Sequence, residues 1–346
     1  MERVYLDWNA TAPLRPEARA AMAEAMDIAG NPSSVHAEGR AAKGLLERAR
    51  GRLAEALGAG EADIVFTSGA TEAAALALAG RGLCGADVEH DAVHAWIDAG
   101  LSVDGAGRVT VDDPATSALQ LANSETGVVQ DLPAGLAVAD VTQGIGRLPF
   151  SYQWSGVQVA ILSAHKFGGP KGTGALILPR GHDLAAQLKG GGQEMGRRSG
   201  TENLIGIAGM AAAAEAALRE LAGGTWDRVA QLRNILEKAI AADSPDTIFA
   251  GKEAPRLPNT TMMVTPGWKG ETQVMAMDLA GFAVSAGSAC SSGKVKTSRV
   301  LTAMGIAGAD AGLRVSLGPQ TTEDQVLRFA EAWTTRLKKL RASRAA

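Results

Sequence analysis

The sequence predicts an α/β protein: a large unit with a mostly parallel sheet flanked by helices, followed by a smaller α/β unit. Three observations predict it. Short apolar, β-branched runs alternate with helical stretches through the first two thirds of the chain. These runs are continuous rather than alternating, as strands buried on both faces are. The 346 residues also exceed what one small core takes, and the texture changes at Gly223-Gly224.

In chain order, residues 16–29 and 36–57 read as helices, the second stopped by Gly58. Ile64-Val65-Phe66-Thr67 is a short apolar run, and residues 70–79 are helical. Strands are expected over 118–122, 136–139, 157–162 and 174–178. A long helix over 202–221 leaves the sheet. Beyond it come a helix over 226–242, strands over 260–264, 283–286 and 313–317, and a last helix after Thr321-Thr322-Glu323. The large unit is placed over 13–222 and the small one over 223–346, with residues 1–12 left open to join the second. No repeat or low-complexity linker interrupts the chain.

A hydrophobic share of 46% and a mean hydropathy of +0.02 are those of an ordinary globular protein. The net charge of -3 offers no basic excess for nucleic acid or anionic lipid. Lys338, Lys339, Arg341 and Arg344 form the one local cluster, read as a solvated helix end whose cations suit the helix dipole. The start, MERVYLDWNA, has no apolar signal core. The alanine-rich run near Met210 is broken by Glu215 and Arg219, so no membrane span is expected. Two cysteines, Cys84 and Cys290, make no disulfide framework, which fits a reduced, cytoplasmic setting.

The chemistry begins at Ile161-Leu162-Ser163-Ala164-His165-Lys166, an apolar strand running into Ser, His and Lys before a glycine-rich turn. Active residues of open α/β sheets sit at strand C-terminal ends. A half-buried lysine there has its amine pushed toward the neutral, nucleophilic form that a carbonyl cofactor needs. A surface lysine at a loop start is the plainer alternative. Upstream, Leu136-Ala137-Val138-Ala139-Asp140 ends in an acid able to pair with a pyridinium nitrogen, or simply to cap a helix. Gln143 could donate to a ring hydroxyl. Phe66-Thr67-Ser68-Gly69-Ala70-Thr71-Glu72 reads as strand, turn and helix start, a place for an anion or an ordinary capping motif using Ser68 or Thr71. It is no P-loop, because no Gly-Lys-Ser/Thr follows.

With these motifs in this order, the chain resembles the class V aminotransferase superfamily of fold-type I pyridoxal-phosphate enzymes, and within it the cysteine desulfurases of the NifS and IscS kind. The resemblance runs from Tyr5-Leu6-Asp7 to the final helix. It is carried further by Glu89-His90, Asn123-Ser124-Glu125-Thr126-Gly127, Arg198-Ser199-Gly200-Thr201, Gly287-Ser288-Ala289-Cys290 and Arg314-Val315-Ser316-Leu317-Gly318. It implies that Lys166 binds pyridoxal phosphate covalently. Ala70, Thr71, Ser163 and His165 would hold the phosphate, and Asp140 the pyridine nitrogen. Asn123 and Gln143 would fix the ring-hydroxyl side, and His90 would stack on the ring and assist proton transfer. Arg314 would take the carboxylate of L-cysteine, with Asn123 beside the substrate. Thr201 would reach the cofactor phosphate of a second copy, which implies a homodimer.

Cys290 lies among small residues in Val284-Ser285-Ala286-Gly287-Ser288-Ala289-Cys290-Ser291-Ser292-Gly293, a texture suited to an exposed catalytic loop. Lys294 and Lys296 would favour its thiolate. The resemblance implies that Cys290 takes sulfur as a persulfide, passes it to an acceptor or iron–sulfur scaffold protein, and serves as a transient iron–sulfur ligand. Cys84 is expected to be structural. The chain departs from many relatives at Lys294-Val295-Lys296-Thr297, where an acid and a proline are usual, at Pro319-Gln320, and in a compressed stretch over 99–118. These departures bear on the acceptor and the turnover rate rather than on the chemistry.

Three rivals are weighed. A selenocysteine lyase or aminotransferase would share Lys166 and Asp140, and transamination would not need Cys290. A zinc hydrolase is suggested by the spacing of His90 and His94, though no third ligand stands out. A non-catalytic scaffold would not need the set of Lys166, Asp140 and Cys290.

Overall fold

The computed structural model describes residues 3–287 and 297–345, so Cys290, Lys294 and Lys296 lie outside the described residues. Strand β1 (Val4–Tyr5) opens the chain, followed by helices α1 (Pro16–Met26) and α2 (Ala37–Ala56). Helix α1 starts on a proline, whose missing N–H has no partner to lose there. His36 caps α2 by accepting the Gly39 N–H at 3.3 Å. Gly58 follows with φ of +60°, a left-handed turn that a side chain would strain.

Strand β2 (Ala62–Thr67) feeds α3 (Ala70–Leu78). Then come β3 (Cys84–Gly85), the one-turn helix α4 (Asp91–His94) and β4 (Asp98–Ala99). After β5 (Ala118–Gln120) and β6 (Val138–Asp140) the chain forms α5 (Tyr152–Ser155), β7 (Ala160–Ser163) and β8 (Gly174–Pro179). The sheet order is β2-β8-β7-β6-β5. Strands β5, β6 and β7 pair in parallel, while β8 runs antiparallel to both β7 and β2. A parallel Cys84–Ser117 bridge carries the sheet on to β3, which pairs in parallel with β4. The sheet is therefore mostly parallel with one reversed strand.

Both faces of this sheet are covered, which is why its strands read as continuous apolar runs. Phe66, Leu162 and Ile177 pack with Leu46 and Leu53 of α2 and Met210 of the long helix α6 (Leu204–Ala222). Their neighbours Val65, Ile161 and Leu176 point to the other face, against Ala73 and Ala77 of α3. The alanine-rich sequence of α6 thus serves burial in protein. Among the described residues no helix is long and apolar enough to cross a membrane.

Helix α7 (Thr225–Asp243) begins after Gly224. It is followed by β9 (Ile248–Phe249), β10 (Thr260–Val264), α8 (Gly270–Leu279), β11 (Phe282–Ala283), β12 (Ser285–Ala286), α9 (Arg299–Ala303), β13 (Gly312–Ser316) and α10 (Glu323–Ala345). The second sheet, in order β12-β13-β10-β9, is antiparallel. The single strand expected over 283–286 is instead two, because β11 pairs with β1 and β12 with β13. Val284 is the point at which the chain changes partners. Residues Val4 and Leu6 pack with Trp226, Phe329 and Trp333, so the start of the chain shares the apolar cluster of its last third. The basic tail is exposed, as a solvated helix end is, and it also makes ion pairs. Lys338 pairs with Asp243 at 2.7 Å and Arg341 with Asp246 at 2.6 Å, joining α10 to the end of α7.

Candidate active site

The site forms where the parallel strands end. Strand β7 runs into a single turn over Ala164–Lys166, and the neighbouring β6 stops on Asp140. On the far side of β8, β2 ends at the Ser68-Gly69 turn that starts α3. That turn can lie flat on β8 because residue 174 is glycine: a Cβ there would stand 2.6 Å from Gly69 Cα. The sequence reading missed this position, since a lone glycine at a strand start carries no distinctive signal.

A cavity of about 540 Å³ opens over these strand ends, lined by Thr71, His90, Asp140, Ser163, His165 and Lys166. Ala70, Gln143 and Lys171 also face it. At one end stand the first backbone N–H groups of α3, a natural anion site. Neither Ser68 nor Thr71 caps this helix: the N-cap is Gly69, and Glu72 reaches back to accept the Ser68 N–H at 2.8 Å. Arg198 holds Glu72 in turn at 2.8 Å. The hydroxyls of Ser68 and Thr71 are thus not consumed in capping. Thr142 Oγ1, on the same cavity, is buried without a partner among the described residues. Helix N-terminus, acid and lysine around one cavity fit a phosphorylated pyridine aldehyde.

The other expected cofactor residues fall in three places. Asp140 accepts the Thr142 N–H at 2.9 Å, which orients its carboxylate. Gln143 is buried and donates to the Asn9 carbonyl at 3.1 Å while accepting from Arg147 at 2.5 Å. Asn123 lines neither cavity. Its side chain accepts the N–H groups of Glu125 and Thr126 and donates to the Val88 carbonyl, shaping the turn that presents Ser124. Thr201 is exposed and also lines neither cavity, far from serving the site of its own chain. Lys166 Nζ donates to the carbonyls of Asn9 and Ala10 at 2.9 and 2.8 Å. Burial pushes His165 down to about 4, helped by the Lys166 and Lys171 charges, so its ring is neutral at pH 7 and contacts Thr11 Oγ1 at 3.2 Å.

A second cavity of about 400 Å³ shares His90, Ser124 and Lys166 with the first and extends to Asp7, Glu125 and Arg314. Arg314, on β13, is buried. It donates to the Ser124 carbonyl at 3.0 Å and to Asp7 at 2.8 Å, while its Nε is buried without a partner among the described residues. Its forked donors suit a carboxylate. Burial raises the Glu125 carboxyl, which also accepts from Ser298 at 2.6 Å. Burial raises the Glu89 carboxyl well above the usual range, and the Asp140 charge pushes the same way. Burial thus disfavours the charged form of both.

His90 caps α4, its Nδ1 accepting the Ala92 N–H at 3.1 Å. Arg299 clamps the same turn from α9, reaching the carbonyls of Asp87 and Glu89 at 2.8 and 2.6 Å and Asp91 at 3.0 Å. His94 turns instead to Asp87 at 3.0 Å. Among the described residues no group of three His, Cys, Asp or Glu is placed to hold a metal ion. Gly287 and Thr297, the described residues on either side of the Cys290 segment, both line the Arg314 cavity. Asp7, Asn9, Arg147 and Arg299 carried no role in the sequence reading. Their partners lie more than a hundred residues away, or on neutral carbonyls that leave no trace in a motif.

Residues 4–96 and 102–329 match the class-V aminotransferase family, and the chain belongs to it. A cysteine desulfurase of Cereibacter sphaeroides is 38% identical over 381 residues, covering 99% of this chain and 97% of its own length. A cysteine desulfurase IscS of Dictyoglomus turgidum is 34% identical, covering 98% and 95%. A solved NifS-like protein from Rickettsia africae superposes with a TM-score of 0.87 at 30% identity, covering 97% of this chain and 100% of that one. Within its family the chain is thus NifS/IscS-like.

Proposed function

We propose that the protein is a homodimeric, pyridoxal-phosphate-dependent cysteine desulfurase that moves sulfur from L-cysteine to Cys290 and releases L-alanine. One observation carries the reading: Lys166 stands where an anion-and-acid cavity meets an arginine-ended cavity, and the Cys290 segment begins and ends on the latter. Two residues separate Gly287 from Cys290, three steps along the chain and a reach of at most about 11 Å. Relatives named cysteine desulfurase support the same chemistry.

Ala70 and Thr71, with Ser163 and His165, would hold the cofactor phosphate. Asp140 would face the pyridine nitrogen, His90 the ring, and Gln143 the ring-hydroxyl side, with Asn123 acting through the turn that presents Ser124. Thr201 would act on the partner copy. When bound, the cofactor supplies an electron sink for bonds at the substrate Cα. Lys166 would carry it through its amine, and then, freed by substrate, move the Cα proton. Arg314 would fix the substrate carboxylate. The Cys290 thiolate would attack the substrate sulfur, so that the carbon–sulfur bond breaks and a persulfide remains on the protein. His90 would supply protons on the alanine side. An acceptor or iron–sulfur scaffold protein in a reducing, cytoplasmic setting would then take the sulfur, with Cys290 a transient ligand.

With pyridoxal phosphate and a reducing thiol, the wild-type protein is expected to convert L-cysteine to equal amounts of alanine and sulfide. Pyruvate in place of alanine, or turnover only when a keto acid is added, would defeat the reading. Arg314→Gln is expected to raise KM for L-cysteine by about 10–100-fold, because each charge-assisted hydrogen bond to a carboxylate contributes about 1.5–3 kcal/mol. An unchanged KM in a folded variant would place the carboxylate elsewhere.

A further inference from the structure

Arg147 lies beneath the Lys166 turn and is 3% exposed. Its guanidinium donates to the Lys166 carbonyl at 2.9 Å, Trp8 carbonyl at 3.3 Å, Asn9 Oδ1 at 3.1 Å and Gln143 Oε1 at 2.5 Å. It also sits 5.9 Å from the centre of the Trp226 ring. Among the described residues every one of its hydrogen bonds goes to a neutral oxygen. The other buried arginines among the described residues have acids: Arg197 pairs with Asp63 at 2.9 Å, and Arg314 with Asp7 at 2.8 Å. An unpaired buried charge is costly to keep, so its retention here calls for an account.

We propose that Arg147 is a positioning residue for Lys166: its buried charge, held by neutral oxygens alone, fixes the Lys166 turn and repels a proton from the Lys166 amine. The geometry supports both halves. The guanidinium grips the backbone of Lys166 and also the Trp8-Asn9 segment. The carbonyls of Asn9 and Ala10 in turn receive the Lys166 amine. The Arg147 charge reaches the residue beside Lys166, where it helps to lower His165. Burial lowers Arg147 itself to about 9, which leaves it a cation at neutral pH.

The other charges around Lys166 are largely balanced. Arg15 pairs with Glu220 at 2.5 Å, Arg314 with Asp7 at 2.8 Å and Arg299 with Asp91 at 3.0 Å. Burial raises the Glu89 and Glu125 carboxyls and keeps His165 neutral at pH 7. Asp140, Lys171 and His90 face the amine from the cofactor cavity. Arg147 adds its charge from below the Lys166 turn.

The assignment rests on Lys166 being the reactive amine of the proposed function, and the test separates the two. Limited acetylation of the full-length protein without added cofactor, followed across pH by mass spectrometry of the Lys166 peptide, reads the midpoint of the amine directly. Arg147→Met is expected to raise that midpoint by about one pH unit, the shift that loss of a nearby charge produces. Arg147→Lys keeps the charge without the fork and is expected to stay near the wild-type midpoint. With pyridoxal phosphate added, the pH midpoint of the visible absorbance is expected to rise in the same order. Equal midpoints in wild type and a folded Arg147→Met would overturn the proposal, as would an Arg147→Lys shift as large as that of Arg147→Met. If Arg147→Met fails to fold, Arg147→Gln against Arg147→Lys decides on the same readout. A wild type that takes up no cofactor would defeat the functional reading, while the acetylation midpoints would still decide the role of Arg147.

Discussion

Lys166→Ala is expected to release alanine from L-cysteine at least about 10³-fold more slowly than wild type, within the range that a positioned proton-transfer group contributes. The loss should exceed any structural cost. The lysine amine donates to two carbonyls beside an open cavity, and water can replace it there. The variant should therefore melt within a few degrees of wild type. Borohydride reduction of the cofactor-loaded wild type should fix the cofactor on the Lys166 peptide, and reduction of the variant should fix none. Lys171 faces the same cavity and is the natural internal control. A stable adduct on Lys171, or a variant within tenfold of wild type, would move the reactive amine away from Lys166.

Cys290→Ala should separate two halves of the reaction. Lys166, Arg314 and the cofactor-side residues are untouched, so the variant should bind the cofactor as wild type does. It should also exchange the Cα proton of L-cysteine with solvent deuterium. Alanine and sulfide release should fall by about 10³-fold or more, since the thiolate is the group asked to accept sulfur. Cys84 provides the control. It sits on β3, lines neither cavity, and Cys84→Ser should keep wild-type turnover. Equal alanine release by wild type and Cys290→Ala would make the protein a lyase. Loss of deuterium exchange as well would mean that Cys290 serves substrate binding rather than sulfur transfer.

Much of the strand-and-helix order was legible because burial on both faces writes itself into sequence as continuous apolar runs. The ends of β6 and β7 were read from such runs, and with them Asp140 and Lys166 at neighbouring strand termini. What was less legible shows where that signal stops. Residues 283–286 look like one strand because their side chains are small and mostly apolar, yet β11 and β12 answer to different partners. The direction of β8 is likewise absent from its composition, since an antiparallel strand buried on both faces has the same pattern as a parallel one.

The candidate site divides in the same way. Lys166, Asp140, His90 and Arg314 stand out in sequence because their side chains have distinctive chemistry next to strand ends and turns. Asn123 stood out too, but its amide is committed to the backbone of its own turn and to the Val88 carbonyl, a competition that no motif reports. The sequence by itself determined which residue types are available and which strand ends present them. Only the tertiary structure decided how each is charged and held. It brings Asp7 to Arg314, desolvates Glu89 and Glu125 in part, and sets Arg147 among neutral oxygens under Lys166. Burial periodicity is local to a few residues. Desolvation and charge pairing arise between segments that meet only when the chain is folded.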